Sequence, residues 1–144
     1  MKGRILVLEV AARFLHPLMM AAAVWVLLRG HDLPGGGFIG GLVAVCATAL
    51  VSVARGAEAA RASIPLGAPR LTAIGVGLAA TSGLPALFAD APFLTHLWVE
   101  LPLGFTQLSI GTPLLFDAGV FAVVFGALGG LLVSILAIDE EEAP

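Results

Sequence analysis

The chain contains no tyrosine, one cysteine and one lysine in 144 residues, and charged side chains make up only 12% of it. Each shortage excludes something. The lone Cys46 cannot form an internal disulfide, and no Cys/His pattern with metal-ligand spacing occurs. Within its apolar run Cys46 reads as a small buried hydrophobe. With Lys2 as the only lysine there is no phosphate-loop lysine. No basic run exists, so nothing points to nucleic acid. No nucleophile–base pair has catalytic spacing either, and the expectation is a chain with no catalytic, cofactor-binding or metal residues and no cofactor. The net charge of −3 is small, and four of the ten acids lie in the tail "DEEEAP".

Apolar residues fill the space that charge leaves. The hydrophobic fraction is 59% and the mean hydropathy is +1.04. Soluble domains are about 45–50% apolar and about 25% charged, so this chain could not cover a soluble surface without large apolar patches. An all-α integral membrane protein is expected, one domain over 1–144. Crossing about 30 Å of hydrocarbon takes roughly 20 residues. Four segments qualify: about 5–29, 37–54, 70–88 and 113–138. "MKGR" resembles the start of a signal peptide, but Glu9 and Arg13 interrupt it and the apolar run ends in "RGHD", so the first segment reads as a retained helix. Lys2, Arg4, Arg55, Arg61 and Arg70 flank one side and Arg29 the other, which places both termini in the cytoplasm. The outward-facing segment between helices three and four exceeds 20 residues and is not very polar. Phe93, Leu94, Trp98 and Leu101 point to a loop lying along the outer interface or under a partner, and Trp98 and Trp25 suit an outer aromatic belt. The segment after Arg55 can open as a short surface helix that breaks at Pro65.

Small residues recur at spacings of three and four: Gly37, Gly40, Gly41, Ala44 and Thr48 in the second span, Thr72, Gly75, Ala79, Ser82 and Ala86 in the third, and Gly119, Gly126 and Gly130 in the fourth. Such seams serve close helix contact, either within a bundle or toward other proteins. Glu9, Arg13 and His16 share one face of the first helix, continued by Met20. They read as an ion pair at the inner interface or as a polar stripe facing a partner or a wet cavity. Pro17 should kink that helix and free the Arg13 carbonyl. Thr112 and Pro113 suit a helix start, which puts Asp117 about 7 Å inside the fourth helix. Asp117 and Gly126 point to opposite sides, so the carboxylate lies off the glycine seam. It is either an acid favoured by the helix dipole or a group facing water or protein.

"RGHDLPGGGFIGGL", residues 29–42, holds five glycines in the seven positions 35–41. Gly35, Gly37 and Gly40 match a dinucleotide fingerprint, but that fingerprint needs a preceding strand, and here a membrane helix precedes it. The stretch reads instead as a tight outer turn, Pro34-Gly35-Gly36, followed by a helix start that presses on a neighbour and leaves Phe38 projecting. His31, Asp32, His96 and Asp117 collect polar groups on the same outer side.

"GHDLPGGGFIGGL", "APFLTHLWVELP" and "TPLLFDAGVFAVVFGAL" together resemble the B subunit of the Mrp (also called Mnh) sodium/proton antiporters, in the same order and over nearly the whole chain. The matching positions are His31, Pro34, Gly35, Gly36, Gly37, Phe38, Gly40 and Gly41, then Pro92, and Asp117 with Gly119. The resemblance implies a small multi-pass component of the cytoplasmic (inner) membrane. Its partners would be the other subunits of a hetero-oligomeric antiporter that exchanges Na+, or another monovalent cation, for H+. It also implies that large companion subunits carry the lysines and glutamates of the proton relay. Candidate ion-route or interface residues are then Asp117, Phe38, His31, Pro34, Gly36, Gly37, Gly40, Glu9, Arg13 and His16. Two alternatives stay open, a scaffold-only subunit or a B-like module of a membrane-bound hydrogenase. A self-contained multidrug exporter fits less well, because Glu9 lies too near the helix start to sit at mid-membrane.

Overall fold

The computed structural model describes residues 2–29, 35–88, 90, 92, 94–95, 98–102 and 107–142. Their elements are α1 (Lys2–Leu28), α2 (Gly36–Arg55), α3 (Ala57–Ala62), α4 (Ala68–Thr81), α5 (Leu84–Phe88), β1 (Trp98–Pro102), β2 (Gln107–Gly111) and α6 (Thr112–Glu142). Four stretches are long and apolar enough to cross a membrane: Val7–Leu28, Gly36–Arg55, Ala68–Phe88 and Thr112–Ile138. The helical membrane architecture follows from solvent physics. Hydrocarbon offers no partner to backbone N–H and C=O groups, so each crossing segment must satisfy its own.

The four crossings lie in a row, α1–α2–α6–α4. The extended contacts of α1 are with α2, those of α2 continue to α6, and those of α4 are with α6. Burial follows this order. Half of the α2 span is buried (50%), against 11% of the α1 span, so α2 is interior and α1 is an edge. An open row replaces the closed bundle that the small-residue seams would also have allowed. Gly37 meets α6 at Asp117 and Phe121, and Gly41 meets it at Val124; the contacts advance together, so α2 and α6 run parallel. Gly40 meets Ala23 and Leu27 of the antiparallel α1, and Gly75 meets Gly119 and Val123 of α6, while Gly126 meets Thr72 and Ala68, so α4 is antiparallel to α6.

All three seams are therefore consumed inside the chain. With no hydrophobic drive between helices in lipid, close backbone approach is what holds them. A methyl added at Gly75 would lie 2.6 Å from the Gly119 carbonyl oxygen, and one at Gly126 would lie 2.7 Å from the Thr72 nitrogen. What faces outward is large and apolar: Phe14, Leu18 and Trp25 on α1, Val53 on α2, Leu131 and Ile135 on α6. Cys46 is exposed rather than buried, because it lies off the α2 seam.

The third crossing is interrupted. Ser82 and Gly83 form a turn between α4 and α5. Pro85 has no N–H to give the Thr81 carbonyl, and nearby hydroxyls bond helix carbonyls, Thr81 Oγ1 to Gly77 O at 2.7 Å and Ser82 Oγ to Ala79 O at 2.7 Å. By contrast α1 continues through Pro17. After α2, Gly56 at φ +87° turns the chain into α3, the expected short helix. Its Ala57 and Ala60 are buried, and Ile64 joins Val51, Phe125 and Val133 in the core. Phe121 and Phe125 pack edge to face, with centroids 6.1 Å apart.

The segment between α5 and α6 contains order that its composition did not announce. β1 and β2 pair antiparallel, Trp98 opposite Gly111 and Pro102 opposite Gln107. β2 leads directly into α6, which opens with Thr112-Pro113 as expected. Before the ribbon, Thr95 closes a local turn by donating its hydroxyl to the Pro92 carbonyl at 2.7 Å.

Candidate functional site

The residues singled out from the sequence fall into two groups at opposite ends of α2, about 30 Å apart. At one end are Gly36, Gly37, Phe38, Gly40 and Asp117. His31 and Pro34, together with Asp32 and His96, lie outside the described residues. At the other end are Glu9, Arg13 and His16.

The first group is built by the start of α2. Gly36 has φ +84°, a conformation open to glycine and strained for other residues. The turn lets α2 begin directly against α6. A Cβ at Gly36 would lie 3.4 and 3.5 Å from the two Asp117 carboxylate oxygens. At Gly37 a Cβ would overlap the Asp117 carbonyl oxygen and come within 2.9 Å of the Phe121 nitrogen. No side chain caps α2, so its first N–H groups point toward the end where Asp117 sits. Asp117 also lies near the start of its own helix. Two parallel helix N-termini thus converge on one half-buried carboxylate, which offsets part of the cost of a charge at that depth. No hydrogen bond or ion pair joins the Asp117 carboxylate to another described residue. Asp117, Phe121 and Val124 form the α6 face toward α2, while Gly119, Gly126 and Gly130 form the face toward α4. The expected separation of carboxylate and glycine seam is the structural arrangement. Phe38, 55% exposed, projects outward.

The second group is a crevice where α1, the end of α2 and α3 meet. Arg13 and His16 line a cavity of about 280 Å3 with Arg55, Val51 and Ser63. A neighbouring cavity of about 200 Å3 is lined by Glu9, Val10, Arg13 and Arg55. The expected Glu9–Arg13 ion pair does not form: no ion pair occurs among the described residues here. Both side chains are exposed, and Arg13 turns into the crevice beside Arg55. Arg13 and His16 instead line the wall of the cavity. Sequence reasoning missed Arg55 and Ser63 as parts of it. Arg55 was legible as a basic residue in the last helical turn, and Ser63 carried no signal. Ser63 Oγ donates to the Ala60 carbonyl at 2.7 Å and lies 3.4 Å from Thr48 Oγ1.

Taken together, the row of crossings, the outward apolar faces and the two polar ends define a polytopic helical membrane protein. The sequence places it more closely. A profile for a domain related to the MnhB subunit of Na+/H+ antiporter matches residues 7–130, and the chain belongs to that family. It is 34% identical over 140 residues to the B subunit of the Na(+)/H(+) antiporter of Bacillus subtilis (strain 168), covering 95% of this chain and 94% of that one. The corresponding B subunit of the Na(+)/H(+) antiporter of Alkalihalophilus pseudofirmus is 31% identical, with 99% and 97% covered. The A/B subunit of a probable K(+)/H(+) antiporter of Rhizobium meliloti is 32% identical over 94% of this chain, which corresponds to 14% of that longer protein. Among solved structures, the Mrp complex from Dietzia sp. DQ12-45-1b matches with a TM-score of 0.82 and 29% identity, over 99% of this chain and 15% of the matched chain.

Proposed function

We propose that this protein is a multi-pass membrane subunit of a multi-subunit monovalent cation/proton antiporter, a part of a secondary-active transporter with no bond-making chemistry of its own. The end-to-end likeness to two antiporter B subunits carries this reading. The open row supports it, because a single layer of helices leaves both faces available to companion proteins. By the positive-inside rule the N-terminus, α3 and the C-terminus face the cytoplasm, and the start of α2 and the β-ribbon face outward.

Within the assembly we assign Asp117 a place at the external end of a cation route. Sodium prefers oxygen ligands, and irregular backbone near a helix start together with one carboxylate can supply some. Gly36 keeps the space over the carboxylate clear of side chains. A second reading, in which the glycine seams only dock other subunits, is not favoured, because those glycines meet helices of the same chain.

The test uses an antiporter-deficient host expressing this gene with the genes for the companion antiporter subunits, those companions without this gene, or this gene on its own. Sodium-dependent proton exchange is read in everted vesicles. Exchange is expected from the full set, with a return to background in the other two. Full exchange without the protein, or exchange by the protein on its own, would overturn the proposal.

A further inference from the structure

The crevice between α1, α2 and α3 is not needed by the antiport reading and rests only on the chain's being embedded in a membrane. Its chemistry is distinctive. Arg13 and Arg55 converge on two adjoining cavities, and neither makes an ion pair with a described residue. Glu9 supplies one opposing charge, so at least one positive charge is left over. His16 adds a buried Nε2 that has no hydrogen-bond partner, although such groups are nearly always satisfied. The Ser63 hydroxyl lies on the same wall. The larger cavity, about 280 Å3, is far above the roughly 10–15 Å3 that admits one water.

We infer that this crevice binds the phosphate of an anionic phospholipid. Arginine guanidinium groups match phosphate oxygens in a fixed fork geometry, and the His16 Nε2 can donate a further hydrogen bond. A lipid fits better than free phosphate because the walls continue as apolar surface. Val10 lines the smaller cavity, and Val10 and Phe14 are exposed beside the arginines, where acyl chains would lie. A net-negative headgroup fits better than a zwitterionic one, whose own cation would compete with the arginines. The position also agrees: the crevice lies at the end of the helices that carries the excess of basic residues, where basic pockets between helices attract anionic lipid.

The intact assembled complex is tested with two photoactivatable lipids, phosphatidylglycerol and phosphatidylcholine, each carrying its reactive group in the acyl chain. Peptides from α1 and the end of α2 are then quantified by mass spectrometry. The expected result is preferential labelling by phosphatidylglycerol, reduced about thirtyfold in the Arg13→Gln/Arg55→Gln double variant and by a smaller factor in Arg13→Lys/Arg55→Lys, which keeps the charge and loses the fork. Excess inorganic phosphate should leave the labelling in place. Equal labelling by both lipids, no labelling at the crevice because a partner protein covers it, or displacement by inorganic phosphate would each overturn the inference. Should the double Gln variant fail to assemble, the comparison of the two lipids on the unmodified complex still decides.

Discussion

Two glycines of the same chemistry should respond oppositely to the same added methyl. At Gly37 the methyl would occupy the space of the Asp117 carbonyl, with the carbonyl carbon 2.8 Å and the Phe121 nitrogen 2.9 Å away. Non-bonded carbon atoms settle at about 3.5–4.0 Å, so α2 and α6 must part by roughly 1 Å or bend locally. A gap of that size forfeits about a quarter to a half of each contact along it, and overpacking of this kind costs about 1–3 kcal/mol. At Gly77, in α4, no atom lies within 4 Å of the added methyl. There the substitution only improves helix propensity, by about 0.8–1.0 kcal/mol. Gly37→Ala should therefore lower and Gly77→Ala slightly raise stability, a separation of about 2–4 kcal/mol. The assay is the melting of the purified assembled complex in detergent, followed by size-exclusion recovery of the tagged chain after heating. If Gly37→Ala melts with the parent, the account of α2 against α6 is wrong.

Other substitutions probe other parts. Asp117→Asn should leave assembly intact and lower sodium-dependent exchange by about tenfold, the weight of one charged contact; unchanged exchange would remove Asp117 from the cation route. Gly126→Leu drives a side chain into Thr72 and Ala68 and should abolish assembly, read on native gels, because α4 has no other extended partner among the described residues. Arg61→Cys in a Cys46→Ala background should react with a membrane-impermeant maleimide only from the cytoplasmic side, and labelling from outside would reverse the assigned orientation.

Much of this molecule could be read from pattern. Four apolar runs predict four crossings because a backbone in hydrocarbon has no outside partner. The small-residue spacings predict close contacts, and Gly37, Gly41, Gly75, Gly119 and Gly126 make them. The opposed faces of Asp117 and Gly126 follow from 3.6 residues per turn. The β1–β2 ribbon was harder, since "WVELP" and "QLSIG" are short and their pairing is settled between segments rather than within either.

Spans, seams and the polar stripe of α1 are local properties of a periodic chain, so composition and spacing were enough to establish them. Which helix each seam meets is another matter. Between apolar rods in lipid no hydrophobic gradient selects a neighbour, and shape alone decides. Only the packed structure sets the order α1–α2–α6–α4, brings the Asp117 carboxylate over Gly36, and draws Arg55 from the end of α2 to Arg13 and His16. Those meetings join residues roughly 40 to 80 positions apart, beyond the reach of any helical period.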